Sequence, residues 1–182
     1  LQDRAVLRIT GKDARQFLDN VITNDVASLK PDESRFAALL TPQGKIIADF
    51  FVIGATDEDG GGFLMDAPGA LAEDIAKKLN FYKLRATVSV ELRPDLAIAA
   101  IFDGKATAEL GIVFDDPRLG EIGQRLILPA VEAKADLSGV GFHVSEPDEY
   151  HARRIALGIP EGGKDFAYND VYPHETDMDQ LN

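Results

Sequence analysis

The chain has 182 residues, of which 45% are hydrophobic and 27% are charged, a balance typical of a globular protein with one sizeable domain or two small ones. Its formal net charge of −12 argues against general binding to nucleic acids or to anionic membranes, because an acidic surface repels phosphate groups. The sequence contains no cysteine, which excludes disulfides, thiolate metal sites and a cysteine nucleophile within it.

Three helical patterns are interspersed irregularly among seven strand-length segments. Apolar residues recur at helical spacing in the first helix, as at Ala14, Phe17 and Leu18, whereas they alternate or run continuously in the strands. The irregular order indicates an α+β fold rather than a doubly wound parallel sheet. The predicted strands are residues 5–9, 35–40, 46–53, 63–66, 86–92, 96–102 and 124–128, and the predicted helices begin near residues 13, 70 and 145.

Two turns are predicted between strands of the N-terminal half. Pro42 and Gly44 occupy the second and fourth positions of a type I turn between residues 35–40 and 46–53. The acidic, glycine-rich stretch 56–62 superficially suggests a calcium loop. It lacks the ligand spacing and the distal glutamate of such a loop, so we expect a solvated hairpin tip.

Residues 158–164 match the G-x-x-x-x-G-K spacing of a nucleotide phosphate loop. Asp165 stands where a Ser or Thr should hold magnesium, Glu161 would place a carboxylate beside the phosphates, and Pro160 removes a backbone donor. The segment also follows a predicted helix, whereas a phosphate loop follows a strand. We therefore expect no nucleotide binding here. The three histidines share no ligand spacing, so no metal site is predicted.

A series of short motifs runs in order along nearly the whole chain. Its members are Phe17-Leu18, Thr23-Asn24-Asp25-Val26, Leu40-Thr41-Pro42-Gln43-Gly44-Lys45, Lys83-Leu84-Arg85, Asp116-Pro117-Arg118, Arg154, Gly158-Ile159-Pro160-Glu161, and the closing Pro173, Glu175 and Asp179. Together they resemble the YgfZ family of folate-binding proteins, which is linked to iron–sulfur cluster maintenance. The series is similar, more distantly, to the glycine-cleavage T-protein, an aminomethyltransferase.

The resemblance implies an α+β fold built from the ferredoxin-like modules of the aminomethyltransferase (T-protein) folate-binding fold, arranged around a central pocket. We expect a first folate-binding module at residues 1–92, a strand-rich second module at 93–144, and a helix and tail at 145–182 that return to the pocket. The family's Lys-Gly-Cys-Tyr-x-Gly-Gln-Glu motif and C-terminal β-barrel are not present in this chain. We expect the natural protein to continue past Asn182 into both.

The function that the resemblance implies is that of a tetrahydrofolate-binding accessory protein for iron–sulfur cluster assembly or repair. Its expected partners are tetrahydrofolate and iron–sulfur assembly proteins or client enzymes. Its expected location is the cytoplasm, or the mitochondrial matrix in a eukaryote. One alternative is a folate-dependent aminomethyltransferase or other one-carbon transferase, and another is a ligand-free scaffold for protein interactions.

The candidate catalytic residue is Asp25, which the resemblance aligns with the catalytic aspartate of the T-protein, and Asn24 beside it is a candidate folate ligand. The other interpretation is that both residues only form a turn. Glu121 belongs to a Gly-Glu-x-Gly element that resembles the part of the T-protein approaching the pterin. Arg125 replaces an acidic residue found there, and Glu121 could equally be an exposed turn residue.

Arg118 and Arg154 are the remaining candidate folate-binding residues. Arg154 lies one helical turn after Tyr150 and could present a cation beside an aromatic ring, or it could be an ordinary amphipathic helix residue. Arg118 could instead be structural, ion-paired to Asp116 or Glu175. Phe81 and Tyr82, at the end of the second helix, are expected in the core.

Overall fold

The N-terminal half of the chain forms a five-stranded antiparallel sheet in a computed structural model that describes residues 1–57, 61–131 and 133–181. Two helices cover one face of this first sheet, because alternate strand residues such as Leu7, Phe50 and Met65 pack against their apolar sides. The spatial order is β2-β3-β4-β1-β5, for β1 (Arg4–Thr10), β2 (Ser34–Leu40), β3 (Ile46–Gly54), β4 (Phe63–Pro68) and β5 (Ser89–Leu92), with helices α1 (Ala14–Val21) and α2 (Ala72–Tyr82).

A second, three-stranded antiparallel sheet packs against the other face of the first. One of its faces, with Ile98, Phe114 and Ile127, meets Phe51 and neighbouring residues of the first sheet, and the opposite face is covered by a short helix. The order is β6-β8-β7, for β6 (Leu96–Ile101), β7 (Ile112–Asp115) and β8 (Gln124–Pro129), followed by α3 (Ala133–Gly139) and α4 (Pro147–Ala156). The fold therefore has four layers, which are the helices, the first sheet, the second sheet and a helix. Charged side chains also lie in the interface between the two sheets.

The predicted elements are all present, but two further elements escaped the sequence analysis. All seven strands and three helices form, although the strand predicted from residue 86 begins at Ser89 because Ala86 closes a turn onto Lys83. The predicted hairpin turn is confirmed by the hydrogen bond from Gly44 N–H to the Thr41 carbonyl at 2.9 Å. The strand β7 and the helix α3 were not predicted, because each is too short to show a periodic pattern.

The interpretation of Phe81 as a core residue was wrong. Its side chain is 75% exposed, and that of Tyr82 is 37% exposed. The helix α2 buries Ile75 and Leu79, and a residue two positions after Leu79 points to the opposite side of a helix.

Three further expectations bear on the architecture. Neither sheet closes into a barrel within residues 1–57, 61–131 and 133–181. The expected hairpin tip at 56–62 includes residues 58–60, which lie outside the described ranges, and the division into modules 1–92, 93–144 and 145–182 stays a prediction. Among the helices of the described chain, none combines the length and apolar character needed to cross a membrane.

Candidate functional site

Charged side chains meet in the interface between the two sheets. Asp66 of β4 lies on the face that also carries Phe51, its neighbour across the strand pair, and Arg125 enters the interface from β8. The charge cluster consists of Arg4, Asp66, Asp116, Arg118, Arg125 and Tyr150, all removed from solvent or nearly so. Burying charges in an apolar interface is costly unless they are paired, so the geometry of the pairs decides whether the arrangement is stable.

Arg125 is the centre of the charge cluster. Its guanidinium donates to Asp66 at 2.7 Å, to Asp116 at 3.0 Å and to the Tyr150 hydroxyl at 2.6 Å, and it lies 4.1 Å from the centroid of the Phe51 ring. These bonds engage both ends of its planar fork. Such charge-assisted bonds are stronger than neutral ones.

Arg118 and Arg4 complete the pairing from either side. Arg118 binds Asp116 through two parallel bonds of 2.9 and 2.8 Å, and Arg4 donates to Asp66 at 2.6 Å. Within the described ranges, no buried side-chain nitrogen or oxygen lacks a hydrogen-bond partner. The charge cluster therefore stabilises the packing of the two sheets, and it offers no unpaired buried group to a ligand.

The pairing of Asp116 predicts a pH-dependent stability. Burial by itself would raise the pKa of this carboxyl, but the guanidinium groups of Arg118 and Arg125 outweigh it and hold the pKa at about 2, below the ordinary 3.8. A depressed folded-state pKa contributes stability that is present above pH 3.8 and is lost as the pH falls towards 2. The contribution is about 2 kcal/mol.

Urea unfolding at about pH 5 and about pH 3 should therefore show a loss of stability that is smaller in Asp116→Asn than in the unchanged protein. The comparison is made within each variant, because the substitution also weakens the fold at both pH values. An identical loss in the two proteins would contradict the assignment of this titration to Asp116.

The Asn24–Asp25 turn lies on the surface beside β2. The Asp25 carboxylate accepts hydrogen bonds from the Ser28 hydroxyl at 2.9 Å and from Ala27 N–H at 2.7 Å, and these bonds lower its pKa. Asn24 fixes the turn, since its side-chain amide donates to the Phe36 carbonyl at 2.9 Å and its oxygen accepts from Asp25 N–H at 2.8 Å. Asp25 is thus an ionised, exposed and oriented carboxylate.

The Glu121 turn is held from the helix α4. Arg153 donates to the backbone carbonyl of Glu121 at 2.6 and 3.2 Å, while the Glu121 side chain is exposed and forms no ion pair with a described residue. The turn ends at Gly123, whose φ of +105° favours glycine and where an added Cβ would lie 2.2 Å from the Ile101 carbonyl. This glycine therefore sets the position of Glu121 relative to β6.

Both turns are tied to the junction of β2 and β7. The ring of Phe36, whose carbonyl receives the Asn24 bond, lies 5.5 Å from the Arg118 guanidinium. Ser34 at the start of β2 donates to the Asp115 carbonyl at 3.1 Å, and the next residue, Asp116, donates its N–H to Gly123 at 3.0 Å. The two exposed carboxylates thus leave turns anchored to one junction of the sheets.

A cleft of about 460 Å³ lies at the end of β6, on the edge of the second sheet opposite β7, and neither Asp25 nor Glu121 lines it. Its walls are the end of β6 with Phe102 and Asp103, the segment 141–147, and Tyr150 of the charge cluster. Asp103 is ion-paired at 3.3 Å with Arg153, the same residue that holds the Glu121 carbonyl. The volume is within the range of pockets that bind small molecules.

Arg154 lies apart from the charge cluster and holds the loop after α4. It is 2% exposed, and it bonds Asp165, the Ile159 carbonyl at 3.0 Å and Glu161 at 3.2 Å. The two clusters are linked through α4, where the rings of Tyr150 and His151 meet at 5.4 Å, and through Lys164, which contacts Asp3 beside Arg4. Every charged group around Arg154 is engaged in closing this loop.

The loop 158–164 has the wrong chemistry for a phosphate. Lys164 contacts carboxylates of Asp3 and Glu161 and lies 2.9 Å from the imidazole of His151, so its ammonium group is already surrounded. The segment follows α4 and leads into no helix. Magnesium–ATP should accordingly not bind, as calorimetry can check. Magnesium-dependent binding that Lys164→Ala abolishes would contradict this prediction.

The sequence model of the GCVT N-terminal domain family matches residues 4–110, more than half of the chain. The chain belongs to this family.

Relatives of this GCVT-domain chain include the mitochondrial iron–sulfur cluster assembly factor IBA57 of Homo sapiens. The alignment with it is 202 residues long, gaps included, at 26% identity, and it covers 100% of the chain and 56% of the relative. The IBA57 homolog of Pyricularia oryzae is 27% identical over 186 residues, covering 98% of the chain and 47% of the relative. The chain spans about half the length of the curated relatives it matches.

The crystal structure of aminomethyltransferase T of the glycine cleavage system from Bartonella henselae matches with a TM-score of 0.77. The match covers 94% of the GCVT-domain chain and 53% of that structure, at 19% sequence identity. This likeness confirms the predicted α+β T-protein fold. At such low identity it shows the fold alone.

The structure places the five sequence-predicted site residues in three settings. Asn24 bonds the Phe36 carbonyl and Arg118 lies over the Phe36 ring, Asp25 and Glu121 project from anchored turns, and Arg154 closes a separate loop. Arg118 pairs with Asp116, one of its two expected partners, whereas Glu175 accepts from the Tyr172 N–H.

Sequence reasoning missed the parts that Asp66 and Arg125 play. The available signal was that Asp66 and Arg125 each occupy an inward position of a predicted strand, 63–66 and 124–128 respectively. An apolar interface tolerates such a charge only when it is paired. The described residues contain no group of three or more His, Cys, Asp or Glu side chains arranged for a metal ion.

Proposed function

We propose that this chain is part of an iron–sulfur cluster assembly factor that binds tetrahydrofolate. The observation that carries the proposal is that several relatives named as iron–sulfur cluster assembly factors align with 98–100% of the chain. Its partners are accordingly iron–sulfur assembly proteins or client enzymes. Its location is the mitochondrial matrix in a eukaryote, or the cytoplasm in a bacterium.

The two exposed carboxylates, those of Glu121 and Asp25, have the chemistry to bind a folate. Glu121 presents a carboxylate without a described partner, which suits the adjacent amino and ring N–H groups of a pterin. Asp25 presents an ionised carboxylate on a fixed turn, which suits stabilisation of positive charge near the N5 and N10 nitrogens. Asn24 orients Asp25 through the Phe36 carbonyl.

The arginines contribute to this site in a different way. Arg118 and Arg154 direct their donors at Asp116 and at the loop 158–165, so in this proposal they position the walls of the site rather than bind the ligand with free N–H groups. The glutamate tail of folate needs a cation from elsewhere in the complete protein. When bound, tetrahydrofolate would supply one-carbon chemistry at its N5 and N10 nitrogens.

A folate-dependent aminomethyltransferase is the second candidate, favoured by the T-protein fold. A ligand-free scaffold is the third, favoured by the internal hydrogen bonding of the charge cluster, in which no described buried side-chain nitrogen or oxygen lacks a partner. Calorimetry of the full-length protein with tetrahydrofolate separates the scaffold, which should give no heat, from the other two functions.

The two folate-binding candidates differ in turnover. In a strain lacking the gene, the full-length protein should restore iron–sulfur enzyme activities, and the purified protein should not convert an aminomethyl donor to methylene-tetrahydrofolate. Turnover without rescue would favour the transferase. Rescue by a protein that does not bind folate would support the role in iron–sulfur cluster assembly and contradict tetrahydrofolate binding.

A further inference from the structure

One surface of the chain combines exposed apolar side chains with positive charge. The α2–β5 surface consists of Phe81, Leu84 and Leu92 with Lys78 and Arg85. Phe81 is 75% exposed, Leu84 is 85% exposed and Leu92 is 38% exposed. Phe81 and Leu92 line a shallow groove of about 630 Å³ between α2 and β5, together with the ion-paired residues Glu73 and Lys77. Large contiguous apolar groups on a surface commonly mark an interaction site.

The charge of this surface is opposite to that of the chain. Residues 75–90 contain four basic residues and no acidic one, whereas the whole chain carries a net charge of −12. Lys77 is neutralised locally by Glu73 and Asp74, but Lys78 and Arg85 form no ion pair with a described residue. A local positive potential beside exposed apolar groups favours a negatively charged partner.

The backbone at Leu84 adds a second indication. Its φ of +47° lies in the left-handed region, which a leucine seldom adopts, and the tight turn from Lys83 to Ala86 maintains this conformation. The conformation presents the isobutyl group to solvent, so burial within the chain does not compensate for the strain. Strain of this kind is concentrated where a local conformation serves binding.

The unpaired edge of β5 is blocked against the addition of another strand. Asn80 donates its side-chain amide to the Val90 carbonyl at 3.2 Å, and the Lys83 ammonium donates to the Val88 carbonyl at 2.9 Å. With these acceptors engaged, an extended peptide cannot continue the sheet at this edge without displacing both side chains. The occupant of the surface must therefore contact side chains.

We propose that the α2–β5 surface docks an acidic protein in which carboxylates surround an apolar pocket for Phe81 and Leu84. An anionic membrane is less suitable, because the apolar side of α2 is buried against the first sheet and cannot enter a bilayer. The proposal goes beyond the proposed function and holds whether or not the protein binds folate.

Site-directed photocrosslinking tests the proposal. Benzoylphenylalanine is placed at position 81 of the full-length protein in its native cells, with position 155 on α4 as the control because Ile155 is 61% exposed. We expect position 81 to capture a distinct protein through a peptide rich in Asp, Glu and apolar residues. Position 155 should not capture it.

Binding measurements with the purified captured protein then test the chemistry. Phe81→Ser should weaken the complex about thirtyfold, since an exposed aromatic anchor contributes strongly to an interface, and Arg85→Glu should slow association and reduce its salt dependence. The thermal midpoint of Phe81→Ser serves as the folding control, because an exposed side chain contributes little to the core.

Several outcomes would overturn the proposal. In the crosslinking experiment they are no capture above the control, or a crosslink to a second copy of the chain, to another part of the same polypeptide or to a segment that is not acidic. Unchanged affinity in both variants would also contradict it. So would flotation of the protein with vesicles of phosphatidylglycerol and phosphatidylcholine in equal parts, if Phe81→Ser abolishes that flotation.

Discussion

Replacing Asp66 with asparagine is expected to lower the free energy of unfolding by about 3–5 kcal/mol. Asp66 is fully buried, and its two carboxylate oxygens accept from Arg4 at 2.6 Å and from Arg125 at 2.7 Å. An asparagine of the same shape keeps one acceptor, but its NH2 group then faces the donor of the other guanidinium. The variant thus removes one of the two carboxylates that face the three guanidinium groups of the charge cluster, and it increases the uncompensated positive charge in the sheet interface.

Urea denaturation of Asp66→Asn and Asp95→Asn measures this effect against a matched control. Asp95 forms two hydrogen bonds with Arg93, at 2.8 and 2.6 Å, but this pair is on the surface. Its loss should leave the denaturation midpoint unchanged, because exposed ion pairs are screened by water. Equal midpoints for the two variants would show that water compensates Arg125 and that the charge cluster does not hold the sheets together.

The elements of this fold were accessible from sequence because their signals are local. The hairpin at Pro42 and Gly44 depends on residues adjacent in sequence, and the helix α2 shows its buried side through Ile75 and Leu79. Where the local signal weakened, prediction failed. Phe81 was assigned to the core on residue type alone, although its spacing from Leu79 places it on the solvent side.

The charge cluster could not be predicted in the same way, because its partners are distant in sequence. Asp66 and Arg125 are 59 positions apart, and their contact depends on how two sheets are oriented face to face. The bond that Arg125 donates to the Tyr150 hydroxyl requires in addition that α4 return to this interface. A sequence pattern identifies inward-facing charges, but it does not specify which opposite charge each one meets.

Substitution of Glu121 should separate ligand binding from structural support. In the full-length protein, Glu121→Ala should weaken tetrahydrofolate binding ten- to a hundredfold, about the effect of losing one charge-assisted contact of 1.5–3 kcal/mol. Glu109→Ala is the matched control, since Glu109 is an exposed glutamate on another short turn beside the same sheet. The fold should be unaffected in both, because the Glu121 turn is held by its backbone carbonyl and by Gly123.

Asp25→Asn should act on chemistry more than on affinity. The asparagine oxygen can still accept from Ala27 N–H, and its NH2 group can donate to the Ser28 hydroxyl, so the turn keeps its shape while the negative charge is lost. Calorimetry should therefore show a modest loss of tetrahydrofolate affinity, and any one-carbon transfer should fall steeply, because the charge acts where positive charge develops. If both Glu121→Ala and Asp25→Asn bind tetrahydrofolate as tightly as Glu109→Ala does, the ligand site is not at the β2–β7 junction, and these carboxylates are surface residues of anchored turns.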